Sequence, residues 1–91
     1  NDHYALYKLA ESYRLYYDYF NAEKYYHEAT ARALKEYPLA RFWYGVMLKD
    51  NGNYLQAKEQ FLKFKEEYKV HNLEAELYKE KAVQEAKGCE M

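Results

Sequence analysis

Apolar positions in this chain repeat on two scales. Over short stretches they fall three or four residues apart, the spacing that gathers side chains on one face of a helix. Over longer stretches the arrangement returns after thirty-five residues: Leu9 answers to Tyr44, Ala10 to Gly45, Tyr13 to Leu48, Tyr19 to Tyr54, Ala22 to Ala57, Tyr26 to Phe61 and Ala29 to Phe64. Every pair keeps its apolar character. The small residues Ala10, Gly45, Ala22 and Ala57 let helices approach closely, and Tyr13, Leu48, Tyr26 and Phe61 fill the space around each contact. The pattern predicts helices over about 3–16, 20–36, 39–51, 54–69 and 73–88.

Punctuation between the stretches agrees with that division. The polar run from Lys49 to Asn53 contains Gly52, which can take a left-handed conformation without strain and so stop a helix. The first copy has Tyr17-Asp18 at this place and lacks the glycine. Pro38 ends one helix and suits the first turn of the next, where its missing N–H is tolerated. The fifth stretch carries Ala75, Tyr78, Ala82 and Ala86 on one stripe, backed by Glu74, Glu76, Lys79, Glu80, Lys81 and Glu85. A helix with one apolar stripe and a charged back is what closes the open end of a helical array.

Length and composition narrow the picture. Ninety-one residues make one small domain, here spanning 1–91, near the lower edge of independent stability. The 14 basic and 15 acidic residues leave a net charge of −1 with no basic run, which argues against a nucleic-acid or membrane-surface partner. No apolar run is long enough to insert into a membrane. Only 3 glycines and 1 proline accompany 13 tyrosines, a composition for helices joined by tight turns. A single cysteine, Cys89, forms no internal disulfide. The chain opens on Asn1 without a signal-peptide pattern and is expected to be an excised or processed piece.

The spacing of small, large and turn residues resembles the tetratricopeptide repeat. Gly45, Leu48, Gly52, Tyr54, Ala57 and Phe61 carry the match in the second copy, and Ala10, Tyr13, Tyr19, Ala22, Tyr26 and Ala29 in the first. The resemblance implies an all-α, right-handed α-solenoid of two helix pairs, about 3–36 and 38–69, with a C-terminal capping helix at about 73–88. The runs Ala40–Gly45, Leu48–Tyr54, Ala57-Lys58, Phe61–Phe64 and Lys87–Glu90 also resemble the N-terminal repeat segment of bacterial envelope proteins. Those proteins continue into a WD40-like β-propeller and an OmpA-type domain, and some belong to type IX secretion. This narrower resemblance implies a periplasmic or outer-membrane-associated scaffold that docks another component.

Such arrays expose the first helix of each pair on a concave side. The expected groove residues are therefore Tyr4, Tyr7, Glu11, Arg14, Leu39, Phe42, Trp43, Val46 and Lys49, with Leu77, and beside it Leu73 and Glu80, from the fifth helix. Aromatic rings with a few charges suit a protein or peptide partner, because they bury much area at low entropic cost; the competing expectation is that several pack inside the molecule. Relatives that clamp an acidic C-terminus place lysine and asparagine where this chain has Tyr7, Glu11, Phe42 and Val46. An apolar or mixed-charge ligand is expected instead.

Other chemistries find little footing. Glu23, His27 and Glu28 give too few convergent ligands for a metal, and His3 and His71 have no ligand partners in sequence, so no metal or other cofactor is expected. Ser12 and Cys89 lack a nucleophile's context, and the abundant carboxylates lie among lysines, as in Glu59 with Lys63. The expected function is a non-catalytic protein–protein interaction scaffold. The alternative is a structural spacer or self-association module, forming a homo-oligomer without a groove ligand.

Overall fold

The computed structural model describes residues 2–90, and its order is α1 (Asp2–Leu15), α2 (Tyr19–Arg32), α3 (Leu39–Asp50), α4 (Tyr54–Glu67) and α5 (Leu73–Gly88). All five are α-helices, and the described residues contain no strand. Each helix packs principally against the next in sequence, within extents of 32 × 30 × 20 Å. The helices sit where the apolar period places them, and two of them end early. The expected second helix runs to 36, but α2 stops at Arg32, because the amides of both Glu36 and Tyr37 donate to the Ala33 carbonyl and turn the chain away. That turn lays the Tyr37 ring on Tyr7, stacked at 4.6 Å. The fourth, expected to reach 69, ends at Glu67: Tyr68 is extended, its ring 4.9 Å from Phe64, and Lys79 Nζ donates to the Val70 carbonyl.

The turns inside the two helix pairs are built alike. In the first, the amides of Tyr16, Tyr17 and Asp18 donate to the carbonyls of Ser12, Arg14 and Tyr13; in the second, Asn51, Gly52 and Asn53 donate to Met47, Lys49 and Leu48. Each bond recurs thirty-five residues on. The place held by Gly52 at φ 88° is held in the first turn by Tyr17 at φ 63°, the left-handed region that side chains disfavour. The missing glycine therefore changes the cost of the turn and not its shape. Asp18 then caps α2 by accepting from the Asn21 amide, as Asn72 caps α5 by accepting from that of Ala75.

Two apolar clusters make the core. Ala10, Ala22, Tyr26 and Met47 form one, and Phe42, Leu48, Ala57, Phe61, Phe64, Ala82, Ala86 and Cys89 the other; Trp43, Tyr44 and Val46 on α3 pack against both. The close approach read from Gly45 is real: a Cβ there would lie 2.9 Å from the Phe61 ring. Ala75, Ala82 and Ala86 bury the apolar stripe of α5, and the helix is fastened at its far end by ion pairs from Lys49 to Glu85 and from Lys58 to Glu90.

Candidate functional site

The side chains expected in a groove take three different places. Tyr4, Leu73 and Leu77 are exposed, and Glu80 is too. Tyr7, Glu11, Arg14, Leu39, Trp43, Val46 and Lys49 are half-buried. Phe42 departs from the expectation: it is 4% exposed and belongs to the core. Its ring meets Trp43, Phe61 and Tyr78 edge-on, and Phe64 at a tilt, so α4 and α5 enclose it. Burying one large ring among four others stabilises more than leaving it in water, and α5 supplies the lid.

Arg14 organises what remains. Its guanidinium lies 3.9 Å from the centre of the Trp43 ring, Nε donates to Tyr26 Oη at 2.9 Å, and Nη2 is 3.6 Å from Glu11 Oε2. One side chain of α1 thus ties α2 and α3 together, with Glu11 also paired to Lys8 at 3.4 Å. A flat guanidinium can stack and donate in its plane at the same time, which a lysine cannot do. Burial pushes the Tyr26 phenol up to about 12, with the Arg14 bond opposing it; Tyr7, edge-on to Tyr26, is likewise raised by burial and by Glu11.

Beside this knot opens a cleft of about 330 Å³, lined by Arg14, Leu15, Tyr17, Tyr19, Trp43, Val46, Met47 and Asp50. Of the expected residues it gathers Arg14, Trp43 and Val46. Sequence reasoning missed Leu15, Tyr17, Tyr19, Met47 and Asp50, which lie toward the turn end of the helices; the signal was Tyr16-Tyr17 at a turn where polar residues are the rule. Asp50 is exposed and has no ion-pair partner among the described residues, and partial desolvation at the cleft raises its carboxyl above its ordinary value against the pull of Lys49. Leu77 and Glu80 belong to a separate shallow depression on α5, with Lys81, Gln84 and Glu85. The same turn end carries exposed apolar side chains, among them Leu15, Tyr16, Tyr17, Phe20 at 78% and Leu55 at 84%.

The described residues hold no group of three or more potential metal ligands, and no helix among them is long and apolar enough to cross a membrane. Ser12 is exposed, and Cys89 is buried with its thiol pushed up by desolvation, which disfavours the thiolate a nucleophile needs. Glu23 accepts from the side-chain amides of Asn51 and Asn53 and so ties α2 to the α3–α4 turn. Set against models of protein families, curated proteins and solved structures, the chain finds no match in any of the three.

Proposed function

We propose that this chain is a non-catalytic protein-recognition module of the tetratricopeptide kind, a right-handed solenoid fragment whose partner seats in the cleft beside Arg14 and Trp43. The observation that carries the reading is the stacked Arg14–Trp43 pair, held by Tyr26 and Glu11 at the rim of an apolar cleft between α1 and α3. A fixed aromatic and a fixed guanidinium lose little entropy when a partner covers them, which is why such residues dominate recognition surfaces. The resemblance of the runs within 40–64 and of 87–90 to envelope-protein repeat segments extends the proposal to a periplasmic or outer-membrane-associated scaffold of the bacterial envelope.

The test compares the immobilised domain with a Leu15→Asp, Tyr17→Asn variant in a pull-down from envelope extract. Both side chains are exposed, and asparagine tolerates the left-handed backbone at 17, so the variant keeps its helicity. A protein held by the first and released by the second supports cleft recognition. Equal retention by both sinks it. A second reading has its own observation: the exposed Leu15, Tyr16, Tyr17, Phe20 and Leu55 form an apolar edge that a twin copy would cover. In that case sedimentation shows a mass rising with concentration, and the same variant returns it to one chain.

A further inference from the structure

A second cavity lies away from the cleft, at the opposite ends of the helices. It measures about 560 Å³ and is lined by Leu34, Lys35 and Pro38 of the α2–α3 connection, Arg41 of α3, Phe64 and Glu67 of α4, and Tyr68, Lys69 and Val70 beyond it. Such a volume falls within the range of small-molecule sites, roughly 300–1,000 Å³. Its walls are apolar: Leu34, Pro38, Phe64, Tyr68 and Val70 supply them, with Phe64 part of the core.

The wall beyond α4 is held in place. Lys79 reaches from α5 to donate to the Val70 carbonyl at 3.0 Å, with its ammonium 5.8 Å from the Tyr68 ring. On the other side Arg41 is fixed by donating from Nη1 to Gln60 Oε1 at 2.7 Å, and its Nε stands 3.2 Å from Glu67 Oε2. That ionic contact lacks hydrogen-bond geometry, so the Nε–H remains an enclosed donor without an acceptor. Three cations and one carboxylate surround the cavity. Arg41 is answered by Glu67, whereas Lys35 and Lys69 are exposed and have no ion-pair partner among the described residues. The start of α3 and the end of α4 meet here, and their partial charges oppose one another. The lysines therefore decide the sign of the site.

We propose that this cavity binds a small amphipathic carboxylate, its hydrocarbon body against Leu34, Phe64, Tyr68 and Val70 and its anionic head between Lys35 and Lys69. The hydrocarbon part gains by leaving water. The head gains from two cations that the protein leaves unanswered, and Arg41, already committed, keeps the wall rigid. An amphipathic cation meets two lysines, and an alcohol of equal length gains only the burial. The site shares no residue with the cleft beside Trp43 and stands or falls independently of it.

Decanoate, decanol and decyltrimethylammonium, each titrated below micelle formation into the isotope-labelled full chain and followed by amide NMR shifts, test the proposal. Decanoate is expected to move the amides of Leu34, Tyr68 and Val70 and to bind about tenfold more tightly than either of the others. Reversing both lysines, Lys35→Glu with Lys69→Glu, should abolish that preference while the spectrum stays folded, and Val70→Trp, which fills the cavity, should weaken all three ligands. The Leu15→Asp, Tyr17→Asn variant should bind decanoate as the parent does. Shifts elsewhere than at these amides, equal affinity for the three probes, or a preference surviving the double reversal would each overturn the assignment.

Discussion

At the scale of single residues, the two turns make a controlled comparison. The same hydrogen bonds close both, yet one has glycine at φ 88° and the other tyrosine at φ 63°. A side chain in the left-handed region costs about 1–2 kcal/mol, and glycine's extra freedom when unfolded returns part of that. Tyr17→Gly is therefore expected to stabilise the protein by about 0.5–1 kcal/mol in urea denaturation, since the exposed ring gives up little packing. Gly52→Tyr should cost a comparable amount. Gly45 sets the opposite constraint. Its missing Cβ leaves room for Phe61, and Gly45→Ala would place a methyl 2.9 Å from that ring and destabilise by about 1–3 kcal/mol, read in the same assay. Of these sites, Gly45 and Gly52 were legible in the sequence, because glycine advertises close approach and positive φ. Tyr17 was not, since nothing about a tyrosine announces a strained backbone.

At the scale of helices, periodicity located all five and could not place their ends. The ends depend on tertiary partners: the turn on the Ala33 carbonyl that lays Tyr37 on Tyr7 ends α2 at Arg32, and Phe64 draws Tyr68 out of α4. Both partners are remote from, or indifferent to, local propensity. The position of Phe42 was misjudged for a related reason. The thirty-five-residue register equates it with the half-buried Tyr7, but α5 brings Tyr78 over Phe42 and closes it into the core. Phe42→Ala should then behave as a core truncation, costing about 3–5 kcal/mol in thermal or denaturant unfolding. A groove residue would cost far less. The caps give a finer test: Asn72→Ala removes the acceptor for the Ala75 amide and should lower stability by about 1 kcal/mol, with increased amide exchange confined to the first turns of α5.

At the scale of the whole molecule, the buried phenols link stability to pH. Tyr26 is raised from an ordinary 10.0 to about 12, and Tyr7 is raised further by burial. Folded chains thus keep protons that unfolded chains release, so stability is complete below pH 10 and declines as pH rises toward 12, by up to about 1.4 kcal/mol per pH unit for each such group. The Lys49 ammonium, held above its ordinary value by its hydrogen bond to Glu85, acts in the same direction at alkaline pH. Urea midpoints measured across this range should fall steeply, and Tyr26→Phe should flatten the fall while losing about 1 kcal/mol at neutral pH with the Arg14 bond. The two apolar clusters share Trp43, Tyr44 and Val46, all on α3. In mechanical terms α3 is a common beam to which both halves are riveted, leaving no seam where one pair of helices can slide off while the other holds. Stretched by its ends in a force spectrometer, the chain from α1 to α4 should give way in one rupture, not in two steps of one helix pair each.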